Sequence, residues 1–138
     1  MLNTSTSSAA TLGRILMSSL FLMSGVGKLA DPIGTQAYIA SKALPWPEAA
    51  YVIAVVIEIG FGTALVLGYR TRVVAAVMAI FTLATGLTFH DNFADPKQLI
   101  SLMKNIAITG GFLQVIVWGA GSLSLDAFIA ANRRRAQT

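Results

Sequence analysis

The chain has 138 residues, of which 55% are apolar and only 12% charged, whereas a soluble domain carries about 25% charged residues. A chain this short cannot wrap so much apolar surface in a water-facing shell, so its outer surface must meet lipid. It has no cysteine and one histidine, which excludes disulfides, thiolate chemistry, iron–sulfur ligation, bis-histidine haem ligation by one copy and a zinc site of the usual kind.

The net charge is +4, but the basic residues form no single patch. Arg133, Arg134 and Arg135 close the chain and Arg70 and Arg72 sit in a mid-chain turn. No nucleic-acid partner is expected from this distribution. Basic ends on an apolar chain read as topology signals.

The first ten residues, MLNTSTSSAA, are small, polar and uncharged, and read as a disordered segment. They make a poor signal peptide, because no Lys or Arg precedes the apolar run, and no cleavage is expected. A first span covers residues 11–30 and stops at Asp31-Pro32, because proline cannot continue a helix. Residues 31–48 read as a loop containing a short amphipathic piece, GTQAYIASKAL, closed by Pro45-Trp46-Pro47. A tryptophan between two prolines at a span end suits the membrane interface.

The second span covers residues 48–69 and the third residues 71–89. A polar turn, HDNFADPK, leads to the fourth span at residues 98–119. Each approaches the roughly 20 residues that a hydrocarbon core requires. The expected fold is all-α, an integral membrane four-helix bundle over residues 11–126, followed by a basic tail at 127–138 that forms a short interfacial helix. An even number of spans returns both termini to the side of Arg70 and Arg72, so both are expected in the cytoplasm. Small residues recur every four positions at Gly60/Ala64/Gly68, Thr82/Gly86 and Ala107/Gly111, and such ladders let membrane helices approach closely.

The stretch YVIAVVIEIGFGTALVLGY carries Glu58 near its middle. This carboxylate lies about 16 Å beyond Pro47 at 1.5 Å per residue. Facing lipid, it would be unfavourable by several kcal/mol. Tyr51, Ala54, Glu58, Gly62 and Leu65 share one face by helical spacing, and that face should point inward. Lys28, His90, Lys104 and Asn105 enter from three other helix ends at similar depth. Taken singly, Lys28 reads as a snorkelling lysine, His90 as a helix-end residue and Asn105 as an interhelical hydrogen-bond former. Together with Glu58 they describe a water-reachable pocket between helices, with no metal among its expected occupants. Lys104 is the expected partner of Glu58, with Lys28 and Arg14 as alternatives; Arg14 can also snorkel to its own interface.

The order and spacing of several motifs resemble the DoxX family of small bacterial membrane proteins. They are FLMSGVGKLADP, LPWP, EIGFGTALVLGYRTR, His90 at the end of the third span, MKNIAITGG and GAGSLSLD, together reaching from Arg14 to Asp126. The resemblance implies a four-helix bundle in the bacterial inner membrane and matches Lys28, Glu58, His90, Lys104, Asn105 and Asp126 as polar positions. It also implies a link to quinone-coupled oxidation, with a soluble or membrane redox partner supplying electrons.

Three function classes follow. The first is the membrane subunit of a quinone-linked redox system, in which His90 or Lys104 would hydrogen-bond a quinone carbonyl and Glu58 would relay a proton. The second is a non-enzymatic binder or carrier of a small apolar or anionic molecule. Four spans show no inverted repeat for alternating access, so a carrier would call for a homo-oligomer. The third is a scaffold that recruits a partner protein through the Arg-rich tail. Whether the chain is an enzyme at all is left open by these residues.

Overall fold

The structure is a computed structural model that describes residues 4–137. Four of its helices are long and apolar enough to cross a membrane, with spans at Ser7–Ala30, Pro47–Leu67, Thr71–Phe89 and Pro96–Trp118. In chain order the elements are α1 (Thr4–Ala30), α2 (Pro32–Ser41), α3 (Pro47–Val55), a π-helical turn (Val56–Phe61), α4 (Gly62–Leu67), α5 (Thr71–Phe89), α6 (Pro96–Trp118) and α7 (Leu125–Arg135). The second span is thus one continuous helix, α3–α4, with a π turn in its middle.

Local chemistry sets most of these ends. Proline occupies the first turn of α2, α3 and α6, where its missing N–H would have had no partner. Asp31 and Asp95 cap α2 and α6, each carboxylate accepting a backbone N–H at 2.9 Å, as N-caps do. The second span stops at Gly68, in the left-handed region at φ +67. There Tyr69 N donates to Ala64 O at 2.9 Å, the pattern of a glycine-ended helix.

α1 packs along the α3–α4 span, and α5 packs along α6. The two pairs meet over a core of Phe21, Leu65, Val74, Ala75, Met78, Ala79 and Phe112. Phe21 and Phe112 join α1 to α6 with ring centroids 5.6 Å apart. Most other large apolar side chains on the spans are exposed, as a lipid-facing surface requires.

Four expectations change. The segment read as disordered is helical from Thr4, while residues 1–3 lie outside the described residues. Long-range pairing holds that first turn, since Ser122 N donates to Ser7 Oγ at 2.7 Å. The loop after the first span is largely the helix α2. The Gly60/Ala64/Gly68 ladder packs only in part: Ala64 lies against the core and Gly68 is buried, but Gly60 is not. Gly60 is exposed with no neighbour within 4 Å of an added Cβ, whereas at Gly25 and Gly62 that atom would lie 2.7 Å from Ile59 and 3.2 Å from Leu22. α1 therefore crosses the second span on the Glu58 face, and Gly60 itself looks outward. Of the other pairs, Thr82 and Gly86 are both buried.

Arg14 is the fourth change. It does not snorkel; it is 1% exposed. Its guanidinium donates to Leu65 O at 2.8 Å, Val66 O at 3.0 Å and Leu123 O at 2.8 Å, and to Thr11 Oγ1 at 3.2 Å. The carbonyls at a helix C-terminus have no intrahelical donor, and Arg14 supplies one. Beside it Asp126 accepts the N–H groups of Arg70 and Thr71 at 2.7 and 2.9 Å, capping α5 from a distant part of the chain. These bonds, with Ser7–Ser122, bring the first turn of α1, the Arg70 turn and the start of α7 to one end of the bundle. α2 lies at the other end.

Candidate functional site

At the α2 end the bundle lines a half-open cavity of about 700 Å³. Its floor is built by α1 and the π turn. Ser24 and Lys28 lie one turn apart on α1, so they share a face. Lys28 Nζ is 2.8 Å from Ser24 Oγ and 2.8 Å from each carboxylate oxygen of Glu58. Ser24 Oγ donates to Glu58 Oε1 at 3.1 Å. Glu58 is 5% exposed and is the buried residue of the π turn. Such turns recur at functional positions, because the inserted residue re-aims a side chain.

Leu20 and Phe21 of α1, Ile53 and Ala54 of α3 and Phe81 of α5 supply apolar lining. α2 roofs the space with Thr35, Tyr38 and Ile39. Two contacts clasp this roof to the end of α5. Tyr38 stacks on Phe89 at 5.4 Å between centroids, and Lys42 pairs with Asp91 at 2.9 Å. The hydrogen bond from Lys42 holds the Asp91 carboxyl below the usual carboxylate range.

Other polar groups line the cavity from α5 and α6. The Thr82 and Thr85 hydroxyls donate back to Met78 O and Phe81 O at 2.7 and 2.9 Å, which leaves their oxygens able to accept. His90, just beyond the end of α5, lines the same space. Asn105 of α6 also lines it. Neither the Asn105 amide nor the His90 imidazole has a hydrogen-bond partner among the described residues.

Lys28, Glu58, His90 and Asn105 therefore line one cavity, drawn from α1, the π turn, the α5 end and α6. Lys104 does not join them. It is exposed on α6 and absent from the lining, so the expected Glu58–Lys104 pair is corrected to Glu58–Lys28. The inward face of α6 carries Leu102, Asn105 and Phe112, and Lys104 lies well off that face at 100° per residue. Asn105 is not the interhelical hydrogen-bond former expected of it, and its amide is left to the cavity. The sequence reading overlooked Ser24, Thr82, Thr85 and the α2 roof. The four-residue spacing of Ser24 and Lys28 was the signal for the first.

Lipid-length helices around a roofed cavity with a buried ion pair define an all-α integral membrane bundle. The DoxX family model matches residues 9–91. The chain belongs to the DoxX family. It is similar to two proteins of Escherichia coli K12. It is 39% identical to the inner membrane protein YqjF over 115 residues, 83% of this chain and 87% of that protein. It is 34% identical to the inner membrane protein YphA over 120 residues, 83% of this chain and 86% of that protein. No solved structure matches the chain.

Proposed function

We propose that this protein is the membrane subunit of a quinone-linked redox system, and that the α2-side cavity seats the quinone head group. The reading is carried by one observation: a space of about 700 Å³ with largely apolar walls is lined by an unpartnered Asn105 amide and by the Lys28–Glu58 pair. A quinone head is a flat apolar ring with two carbonyl acceptors, and these residues fit it. The Asn105 amide and the His90 imidazole can each present a donor to a carbonyl. Leu20, Phe21, Ile53 and Phe81 exclude water from the ring. Glu58 can hold a proton on a carboxylate oxygen, with Lys28 and Ser24 orienting it. When bound, a quinone supplies two-electron, two-proton chemistry. With no cysteine and one histidine, the chain has few groups that could bind an electron carrier, so this reading includes a redox partner that delivers the electrons.

The names of the E. coli relatives support an inner-membrane location. The Arg70 turn and the Arg133–Arg135 tail, held at one end of the bundle, support that end as cytoplasmic. The α2 cavity then opens toward the outer half of the bilayer.

Native mass spectrometry of gently extracted protein tests the reading. A quinone-mass adduct is expected on the parent and is expected to be depleted in Asn105→Ala. A parent that carries phospholipid alone sinks it.

A further inference from the structure

The floor of the cavity is electrically closed. An ammonium has three N–H donors, and on Lys28 all three have acceptors at 2.8 Å: Ser24 Oγ and the two oxygens of Glu58. The pair carries no net charge, whether the proton sits on the nitrogen or on the carboxyl. Asp31 is the other acidic residue of the lining, and its side chain caps α2 through Gly34 N. The cavity thus sets one engaged cation against two carboxylates, and Lys104 lies elsewhere. Nothing in it is a trap for an anion. A cation fares no better at the floor, because Lys28 already occupies both oxygens of Glu58.

The groups left for recognition are the His90 imidazole and the Asn105 amide, and of the two Asn105 is the one held at a close helix crossing. Its amide offers donors and an acceptor and has no partner among the described residues. Its position is set by a close crossing of α5 and α6: a Cβ added at Gly86 would lie 2.9 Å from Asn105 Cβ and from Nδ2. Such a fixed amide reads an uncharged head group that has its own carbonyl, hydroxyl or amide.

We propose that the cavity selects an uncharged amphiphile, that Asn105 reads its polar head, and that Glu58 sets this selectivity by neutralising Lys28. The inference rests on the cavity reading above, but not on the occupant being a quinone. It makes a reversal of specificity available. In Glu58→Gln, Lys28 keeps its charge and loses its counter-ion, so the same floor becomes a site for a carboxylate.

Three probes of one chain length separate head-group charge from shape: decanamide, decanoate and decylamine. Binding is measured by calorimetry at pH 8 on the full chain in zwitterionic phosphatidylcholine nanodiscs, with empty nanodiscs subtracted. The parent should prefer decanamide over both ions by about tenfold or more. Asn105→Ala should lose about tenfold in decanamide affinity, the scale of one buried hydrogen bond. Glu58→Gln should bind decanoate about tenfold or more tighter than the parent does, and decanoate should raise its melting temperature. If that variant does not fold, the double variant Lys28→Met/Glu58→Gln, which removes the charges together, should keep the parent's preference for decanamide. Equal or tighter binding of either ion by the parent overturns the proposal, as does failure of all three probes to bind or an Asn105→Ala variant that binds like the parent. A parent that prefers decanamide yet yields no quinone on extraction keeps the selectivity and removes the quinone.

Discussion

Arg14 and Glu58 are both buried charges in apolar spans, yet their surroundings differ in kind. Arg14 is met by backbone. Carbonyls at the end of α4 and in the segment before α7 converge on its guanidinium, and Gly68 leaves it room, since a Cβ there would lie 2.6 Å from Nη1. No cavity adjoins it among those described. Glu58 is met by side chains from one neighbouring helix, Lys28 and Ser24, and its free side borders about 700 Å³ of open space. A charge whose two terminal nitrogens are held by the chain ends of several segments is a staple, even though its buried Nε has no hydrogen-bond partner among the described residues. A charge balanced by one neighbour at the edge of a void leaves that void available to a ligand. The bundle is thus tied at the Arg-rich end and hollow at the α2 end.

The largest effect should come from breaking the staple. Arg14→Met leaves Val66 O without a donor among the described residues and removes one of two donors from Leu65 O and Leu123 O. It should destabilise the protein by about 3 kcal/mol, given roughly 1–3 kcal/mol for each buried polar group left unmade. Thermal melts in detergent measure this. A variant that melts with the parent would show that the converging carbonyls find water instead, and the contrast between the two ends would fall with it.

The ion pair should give a smaller, coupled effect. Lys28→Met and Glu58→Gln should each destabilise, and the double variant should recover about 0.5–3 kcal/mol of the summed loss, the range for residues in direct contact. Lys104→Met in the same melts should be close to neutral. Coupling of Glu58 to Lys104 rather than Lys28 would restore the pairing expected from sequence and remove the floor of the cavity.

The smallest effect concerns pH at the tied end. Burial pushes the Asp126 carboxyl up, but its hydrogen bonds with Thr71 and Arg70 and the nearby Arg14 charge outweigh this, so it lies below its ordinary value of 3.8. A carboxyl with a lowered folded-state value contributes stability that is present above the unfolded value and is lost as pH falls through the folded one. Melts should therefore show a modest acid destabilisation below about pH 4 that Asp126→Asn lacks. An unchanged acid limb in that variant would mean that the cap does not feel the charge.

Several of these features were legible from the chain alone. Composition and span length gave a lipid-facing four-helix bundle. The inward face of Tyr51, Ala54, Glu58, Gly62 and Leu65 was visible from spacing; Tyr51 is half-buried and the other four are buried. The residues that line the cavity were visible in part, because a histidine, an asparagine and a lysine towards span ends and a glutamate in mid-span stand out against an apolar background. Arg14 and Asp126 were noticed as polar positions, but their joint role was not. One sits in the first half of α1 and the other at the head of α7, and no local pattern announces an interaction across most of the chain.

What the sequence determined by itself is local. Proline at a first turn, aspartate before it, glycine at a helix end and about 20 apolar residues between them act over a few neighbours, and they set where each span begins and stops. What only the tertiary structure decided is which face of each span looks inward. In a soluble helix the apolar stripe marks the core, but here lipid and core are equally apolar, so hydropathy cannot tell Gly60 facing out from Gly62 facing in. The pairing of Glu58 with Lys28 rather than Lys104 was settled the same way. It depends on α1 crossing the second span at Gly25 and on the turn of α6 that leaves Lys104 outside, and both are set by close packing between helices far apart in the chain.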